Sequence, residues 1–200
     1  MSQIQKHSSV KGSLQSVANK SLITVAQAFV DCDVVVLLDV LASMMTADGQ
    51  NYYHTSPHAE TRYRKACNQL AKLQHDNPGK VCLICFDHQQ TFEPSGIARH
   101  PNGSTDVAGA LSYIWKADGL GLKFVLISDG EPDDDESAIA IARQFKSRID
   151  CLFIGPEGSS GQDFLRRLAA VTGGKFDPLN TKGINQLCDK ISAKLLPENV

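Results

Sequence analysis

The chain lacks several features that define familiar functional classes. No apolar run in its 200 residues is long enough to cross a bilayer, and its first residues contain no apolar signal region. Positive charge is not in excess either: the formal net charge is −2, whereas a protein that binds nucleic acid needs a basic surface to contact phosphates. We therefore expect neither a membrane nor a nucleic acid as the main partner.

Motifs of common catalytic sites are also missing. Neither GxSxG nor GxxxxGK[ST] occurs, and Ser43 and Ser104 have no adjacent His-Asp signature. A phosphatase of the haloacid-dehalogenase type would require an Asp two residues after Asp39, where the sequence has Leu41. A receiver domain like those of response regulators would require a Lys after a late strand, and residues 151–156 contain none. The sequence thus predicts a protein that is not an enzyme, with Mg-dependent phosphoryl transfer as the less favoured alternative.

Six cysteines could form three disulfides, but their positions predict free thiols. Five of them lie in apolar strand-like runs or on apolar helical stripes, as buried free cysteines do: Cys67, Cys82, Cys85, Cys151 and Cys188. Cys82 and Cys85 have the CxxC spacing of zinc and redox sites, but residues three apart on a strand point to opposite faces. We therefore expect a reducing compartment and a cytoplasmic location.

Short apolar runs alternate with helical patterns along most of the chain. The runs are apolar at successive residues, which is typical of strands covered on both faces in parallel sheets. They lie at residues 34–38, 81–86, 124–127 and 151–154, with a short edge strand expected near Gln90–Glu93. Stripes at helical spacing lie around residues 63–73, 108–115, 138–145, 164–171 and 184–195. The alternation predicts a doubly wound, Rossmann-like α/β fold: a mostly parallel central sheet with helices on both faces.

The N-terminal region and one insertion stand outside this alternation. Residues 1–12 are polar and are expected to form a flexible N-terminus. Apolar residues then recur at helical spacing and predict one amphipathic helix over residues 13–30; they are Leu14, Ala18, Leu22, Val25 and Phe29. A polar insertion occupies residues 46–60. Residues 13–200 would form a single domain with its core at residues 33–196.

Polar side chains gather at one predicted edge of the sheet. Asp39 and Asp129 each follow a buried strand directly, and doubly wound sheets bind ligands beyond the carboxyl ends of their strands. Ser43 lies on the loop after Asp39, and Gly103-Ser104-Thr105-Asp106 precedes a helical stretch. Magnesium and manganese accept carboxylate, hydroxyl and water oxygens in octahedral geometry. These residues therefore predict a site for one divalent cation.

Three of these segments resemble, in the same order, the motifs of one protein family. Asp39-Val-Leu-Ala-Ser43-Met44 resembles the Asp-x-Ser-x-Ser-Met element of von Willebrand factor A (vWA) domains. Gly103-Ser104-Thr105-Asp106 is similar to their Gly-x-Thr-Asn/Asp segment, and Val125–Gly130 is similar to their apolar run ending in Thr/Ser-Asp-Gly. Phe164–Ala169 and Thr172–Phe176 look like the family's late helix and the strand after it. The resemblance extends from about Val34 to Leu195.

The resemblance implies a metal-ion-dependent adhesion site. Asp39, Ser43, Thr105 and Asp129 would hold Mg²⁺ or Mn²⁺, directly or through water. A carboxylate of a partner protein would complete the coordination sphere, because neutral hydroxyl ligands leave the cation's charge only partly compensated. The family motif has a serine at position 41, and Leu41 offers no oxygen. Either a water replaces the missing hydroxyl, or the leucine blocks the position and leaves a metal-free scaffold.

Residues around this site are candidates for contact with a partner. They are Leu41, Tyr52, Tyr53, Ser104, Asp106 and Glu131. The two tyrosines lie in the insertion, where aromatics either contact a partner or pack onto the domain surface. The acids within residues 131–136 either attract cations or a basic partner, or are solvated and favour the start of the next helix. His54 and His58 are not expected to bind zinc, because Pro57 interrupts a helical pair.

The resemblance also implies a functional context. A vWA domain of this kind would bind proteins without catalysis, in an assembly or stress system of a bacterium or phage. Cytoplasmic members of the family often act with AAA+ ATPases of the MoxR type. Such an ATPase, or another protein that offers an acidic ligand, is therefore the expected partner.

Overall fold

A six-stranded sheet organises the part of the chain that the computed structural model describes, residues 9–19, 22–47, 60–130, 132–179 and 183–195. Its strands are β1 (Val34–Asp39), β2 (Val81–Phe86), β3 (Gln90–Phe92), β4 (Lys123–Ser128), β5 (Ile149–Phe153) and β6 (Phe176–Pro178). Their order across the sheet is β3-β2-β1-β4-β5-β6. All neighbouring strands are parallel except β2 and β3, which are antiparallel. The structure thus confirms the mostly parallel, doubly wound sheet, and it places β1 and β4 at the centre.

Helices cover both faces of this sheet. They are α1 (Leu14–Ala18), α2 (Val25–Asp31), α3 (Arg62–Asp76), α4 (Val107–Ile114), α5 (Asp135–Ala142), α6 (Ser160–Thr172) and α7 (Leu187–Leu195). Residues of α1, α2, α4, α5 and α6 share one hydrophobic cluster, and residues of α3 and α7 share the other. No helix in the described ranges combines the length and the apolar character needed to span a bilayer.

Strand β1 divides its side chains between the two clusters. Val35 and Leu37 belong to one cluster, and Val34, Val36 and Leu38 belong to the other. All five side chains are fully buried, and burial of one such side chain contributes about 1.5–3 kcal/mol. If β1 shifted by one residue relative to its neighbouring strands, each side chain would move to the opposite face of the sheet. This packing therefore fixes the register of β1 and the position at which the strand ends.

Polar residues fix where the helices beside the carboxyl edge begin. Thr61 Oγ1 accepts a hydrogen bond from the Arg64 N–H (3.1 Å) at the start of α3, and Asp106 Oδ1 accepts one from the Gly109 N–H (2.7 Å) at the start of α4. An N-cap of this kind contributes about 1 kcal/mol. Helix α6 ends at Thr172 and is followed by Gly173 as its C-cap, whose φ of 72° is a left-handed conformation that glycine adopts readily.

The prediction of one helix over residues 13–30 is wrong. Helix α1 ends at Ala18, Asn19 has a left-handed backbone with φ of 50°, and α2 begins only at Val25. Leu22, which the helical stripe placed against the core, is 87% exposed. The apolar spacing is shared by two short helices, and a short polar side chain such as that of Asn tolerates the left-handed conformation that separates them.

Ordered contacts begin before residue 13. The Val10 N–H donates a hydrogen bond to Ser95 O (2.8 Å), and Gly12 O accepts one from the Gly79 N–H (2.9 Å). These bonds attach the end of the segment expected to be flexible to the loops on either side of β2 and β3. Residues 1–8 lie outside the described ranges.

The six cysteines are free, as their positions in apolar runs and helical stripes predicted. Cys82 belongs to the hydrophobic cluster that contains α4, and Cys85 belongs to the one that contains α3. The two thiols of the CxxC pair therefore lie on opposite faces of β2 and cannot bind one metal ion together.

Candidate functional site

Three strands end in or beside a buried carboxylate at the same edge of the sheet. Asp39 is the last residue of β1, Asp87 follows β2, and Asp129 follows β4. Because β2, β1 and β4 are adjacent and parallel, their carboxyl ends lie together. Asp39 and Asp87 are 0% exposed and Asp129 is 4% exposed. The structure thus brings together the two carboxylates predicted from the sequence and adds a third beside them.

Asp39 is held by two hydrogen bonds at the centre of this edge. Its Oδ1 accepts a bond from the Leu41 N–H (2.9 Å), and its Oδ2 accepts one from Ser128 Oγ (2.6 Å). Burial, together with the negative charge of Asp129, raises the pKa of the Asp39 carboxyl to about 8. Without a cation nearby, the fold therefore favours a protonated Asp39 at neutral pH.

Two buried hydroxyls belong to separate loops at this edge of the sheet. Ser43 lies in the 3₁₀ segment at residues 42–45, directly after β1, and Thr105 lies just before α4. Neither Ser43 Oγ nor Thr105 Oγ1 has a hydrogen-bond partner among the residues that the structure describes, although both atoms are buried. Buried hydroxyls are normally hydrogen-bonded, so this pair calls for a functional explanation.

Backbone hydrogen bonds tie the loops of the site to one another. The Asn102 N–H donates to Val40 O (2.8 Å), which joins the loop before α4 to the loop after β1. The Asp133 N–H donates to Thr105 O (3.0 Å), which joins the loop after β4 to Thr105. The segments carrying Asp39, Thr105 and Asp129 are thus fixed relative to one another, as a binding site requires.

Asp87 is a residue of this edge that the sequence analysis missed. Its carboxylate lies 2.9 Å from Arg99 Nη1 and 3.1 Å from His88 Nδ1, and it accepts a hydrogen bond from the Gln89 N–H (2.7 Å). Its backbone oxygen accepts a hydrogen bond from the Asp106 N–H (3.0 Å). Asp87 is therefore charge-balanced by Arg99 and supports the loop that carries Thr105. Its place directly after an apolar run was a signal equal to that of Asp39 and Asp129.

Arg62 is a second residue that the sequence analysis missed. It is the first residue of α3, and its Nη1 lies 3.9 Å from Asp129 Oδ2. The Arg62 side chain is only 12% exposed. The site therefore contains a positive side chain opposite one of its two predicted carboxylate ligands.

The residues predicted to contact a partner have different environments. Ser104 is exposed at the edge, and Leu41 is half-buried there. The carboxylate of Asp106 caps α4 and also accepts a hydrogen bond from Gln90 Nε2 (3.3 Å), so its role is at least partly structural. Tyr52, Tyr53 and Glu131 lie outside the described residues, as do His54 and His58.

The acids after Asp129 act mainly at the start of α5. Asp134 Oδ1 accepts a hydrogen bond from the Ser137 N–H (3.0 Å) as the N-cap, and Asp135 and Glu136 occupy the first turn. Arg167 of α6 lies 3.2 Å from Asp135 Oδ2 and 2.7 Å from Glu136 Oε1. These contacts agree with the interpretation that the acids favour the helix N-terminus.

The donor set of this edge suits a hard cation that prefers oxygen. It consists of two buried carboxylates and two buried hydroxyls, and Mg²⁺ or Mn²⁺ fills such an incomplete set with water. No group of three or more His, Cys, Asp or Glu side chains in the described ranges is arranged to hold a metal ion. The fit to a divalent cation thus rests on the mixed set of Asp39, Ser43, Thr105 and Asp129.

Comparisons with known proteins bear on the fold. No protein-family model matches the chain, and no curated protein matches it in sequence. Among solved structures, a mutant of the PilB minor pilin from Streptococcus sanguinis matches with a TM-score of 0.56 and 14% sequence identity. The match covers 81% of this chain and 60% of the pilin chain, so this chain accounts for less than two thirds of that protein's length. At such low identity, the likeness shows a shared fold alone.

Proposed function

We propose that this chain is a vWA-type domain that binds a protein partner through a divalent cation at the carboxyl edge of its sheet, without catalysing a reaction. The observation that carries the proposal is the pair of buried hydroxyls of Ser43 and Thr105, which have no hydrogen-bond partner among the described residues and lie at the edge formed by Asp39 and Asp129. A buried polar group without a partner costs about 1–3 kcal/mol. Coordination of a cation would remove that cost.

Two carboxylates and two hydroxyls would coordinate Mg²⁺ or Mn²⁺ together. Asp39 and Asp129 supply negative charge, and Ser43 and Thr105 supply neutral oxygens, directly or through water. A bound cation supplies a Lewis-acidic position that attracts an anionic ligand. The partner would therefore present an Asp or Glu carboxylate to this edge. A MoxR-type AAA+ ATPase in the cytoplasm is the candidate that the family resemblance suggests.

A metal-free scaffold of the same fold is the second candidate. Two observations favour it: Leu41 takes the place of a serine ligand, and the Arg62 guanidinium lies 3.9 Å from Asp129 Oδ2. Without a cation, Arg62 balances the charge of Asp129, and a proton on Asp39 removes the second negative charge. In that case the partner would bind to the edge through Leu41 and the polar insertion.

Calorimetric titration with MgCl₂ and MnCl₂ separates the two candidates. We expect the wild-type protein to bind one cation and Ser43→Ala and Thr105→Val to lose most of the binding. Without metal, both variants should be at least as stable as the wild type, because each removes a buried hydroxyl that lacks a partner. Ser112→Ala is the control: its exposed hydroxyl donates to Ala108 O on α4 (2.9 Å), and its loss should leave metal binding unchanged.

Thermal unfolding gives a second, independent measurement. A cation at one hundred times its Kd stabilises the folded state by about 2.7 kcal/mol, which corresponds to a rise in Tm on the order of 5–10 °C for a chain of this size. If millimolar cation produces no heat of binding and no change in Tm, the metal-binding proposal is contradicted and the scaffold is favoured.

A further inference from the structure

We propose that Arg62 is an internal cation of the metal site: it neutralises Asp129 in the metal-free protein and competes with the divalent cation for that carboxylate. This inference rests on the proposed function, because it concerns a residue that sets the metal affinity of the same site. Because Arg62 would weaken metal binding, it would raise the cation concentration that the domain needs before it can bind its partner.

The first support is the environment of the ion pair. Arg62 Nη1 and Asp129 Oδ2 are 3.9 Å apart, and the two side chains are only 12% and 4% exposed. Charges that are shielded from water interact more strongly than charges at the surface, where solvent and salt weaken them. Asp129 therefore already has a nearby positive charge before any metal ion arrives.

The second support is a pair of hydrogen bonds that link the backbone at Arg62 to the loop after β1. The Arg62 N–H donates a hydrogen bond to Thr46 O (3.1 Å), and Thr46 Oγ1 donates one to Ser43 O (2.8 Å). The start of α3 is thus tethered to the segment that carries a predicted metal ligand. The backbone of Arg62 is therefore held beside the segment that carries Ser43, and from there its guanidinium lies 3.9 Å from Asp129 Oδ2.

The third support is that the start of a helix is an unfavourable position for a positively charged side chain. Arg62 is the first residue of α3, and the N-terminus of a helix carries a partial positive charge that repels cations. No acidic residue occupies the first turn of α3. The carboxylate of Asp129, 3.9 Å from Arg62 Nη1, compensates part of this unfavourable interaction.

Competition follows from this arrangement. A divalent cation bound by Asp129 would lie within a few ångströms of the guanidinium, and the two positive charges would repel each other. The metal must displace Arg62 or share Asp129 with it, and either outcome weakens metal binding. Removing the guanidinium should consequently tighten metal binding, which is the opposite of what the loss of a supporting residue would do.

Titration of the metal alone tests the inference. We expect Arg62→Gln to bind Mn²⁺ and Mg²⁺ about tenfold more tightly than the wild type, which corresponds to about 1.4 kcal/mol. Arg62→Lys keeps a cation and should retain an affinity close to that of the wild type. Arg64→Gln is the matched control, since it removes one positive charge from an exposed position in the same helical turn. It should leave the affinity unchanged.

Metal-free stability provides a readout that needs no bound ion. Arg62→Gln should have a lower Tm than the wild type in chelator, and the difference should shrink in saturating Mn²⁺. Equal or weaker metal binding by Arg62→Gln, or equal tightening by Arg64→Gln, would overturn the inference while leaving the proposed function intact. No binding by either the wild type or Arg62→Gln would overturn both, whereas binding by Arg62→Gln alone would support the competition.

Discussion

At the scale of single residues, position 41 would determine how many oxygens the proposed metal site offers to a cation. Leu41 is half-buried and belongs to neither hydrophobic cluster. At the site, the Leu41 backbone N–H donates a hydrogen bond to Asp39 Oδ1 (2.9 Å), which any side chain other than proline at this position would preserve. The identity of the side chain can therefore be changed without removing the support of Asp39.

Leu41→Ser should raise the affinity of the proposed site for a divalent cation. Restoring the missing hydroxyl is expected to tighten Mg²⁺ binding about tenfold, or about 1.4 kcal/mol, in a calorimetric titration. Leu41→Ala is the control, because it removes the same bulk and adds no oxygen. A fall of several kcal/mol in the free energy of unfolding, as for a lost core leucine, would instead show that Leu41 is part of the core and that the alignment of the site is wrong.

The sequence contained more information about the carboxylates than about the residues that balance them. Asp39 and Asp129 could be predicted because each ends an apolar run, and Asp87 carried the same signal. The contact between Arg62 and Asp129 could not be predicted, because it depends on where α3 begins relative to the sheet after the insertion at residues 46–60. Local periodicity gives no information about such a placement.

At the scale of elements, the loop after β4 and the start of α6 meet through glycine. A Cβ atom on Gly161 would lie 2.4 Å from Asp129 O, and one on Gly130 would lie 2.3 Å from Gly161 O. Real Cβ atoms do not approach backbone atoms so closely, so both positions require glycine. The contact fixes the backbone of Asp129 against a 13-residue helix.

Gly161→Ala should therefore force the start of α6 away from the backbone of Asp129. We expect the free energy of unfolding in urea to fall by about 1–3 kcal/mol, the usual range for overpacking, although alanine is the better helix former. Ser160→Ala, at the exposed neighbouring position of the same helix, should change it by less than about 0.5 kcal/mol. Equal stability of Gly161→Ala and the wild type would contradict the close approach.

Element type was easier to predict than element continuity. Strands β1 to β5 and the five later helices follow from apolar runs and helical spacing, which indicate burial. Strand β6 was expected only from the family resemblance. The division between α1 and α2 does not, because apolar residues in two short helices can keep the spacing of one. The break coincides with the left-handed backbone of Asn19 at the end of α1.

At the scale of the whole molecule, the raised pKa of Asp39 links stability to pH. The folded state holds the Asp39 proton up to a pKa of about 8, whereas the unfolded chain releases it near 3.8. Below pH 4 both states are protonated, and between about pH 4 and pH 8 only the folded state keeps the proton. A rise in pH through this window therefore favours unfolding.

Metal-free protein should accordingly lose stability as the pH rises from 5 to 8. The contribution of Asp39 reaches at most about 1.4 kcal/mol per pH unit, and urea titrations at several pH values in chelator would measure it. Asp39→Asn should remove this part of the slope. Asp33→Asn, at an exposed acid just before the other end of β1, should retain it. The same slope in Asp39→Asn and the wild type would contradict the linkage.

The two outer strands of the sheet have a consequence for behaviour at high concentration. Strands β3 and β6 have three residues each, and β6 ends at Pro178, which has no N–H to offer a neighbouring strand. Beyond β3, the backbone oxygens of Pro94 and Ser95 already accept hydrogen bonds from Gln15 and Val10. Short, partly occupied edges are poor templates for strand addition by another chain. Crowding should therefore not drive these sheets to join edge to edge, and the long apolar strands remain shielded at the centre of each molecule.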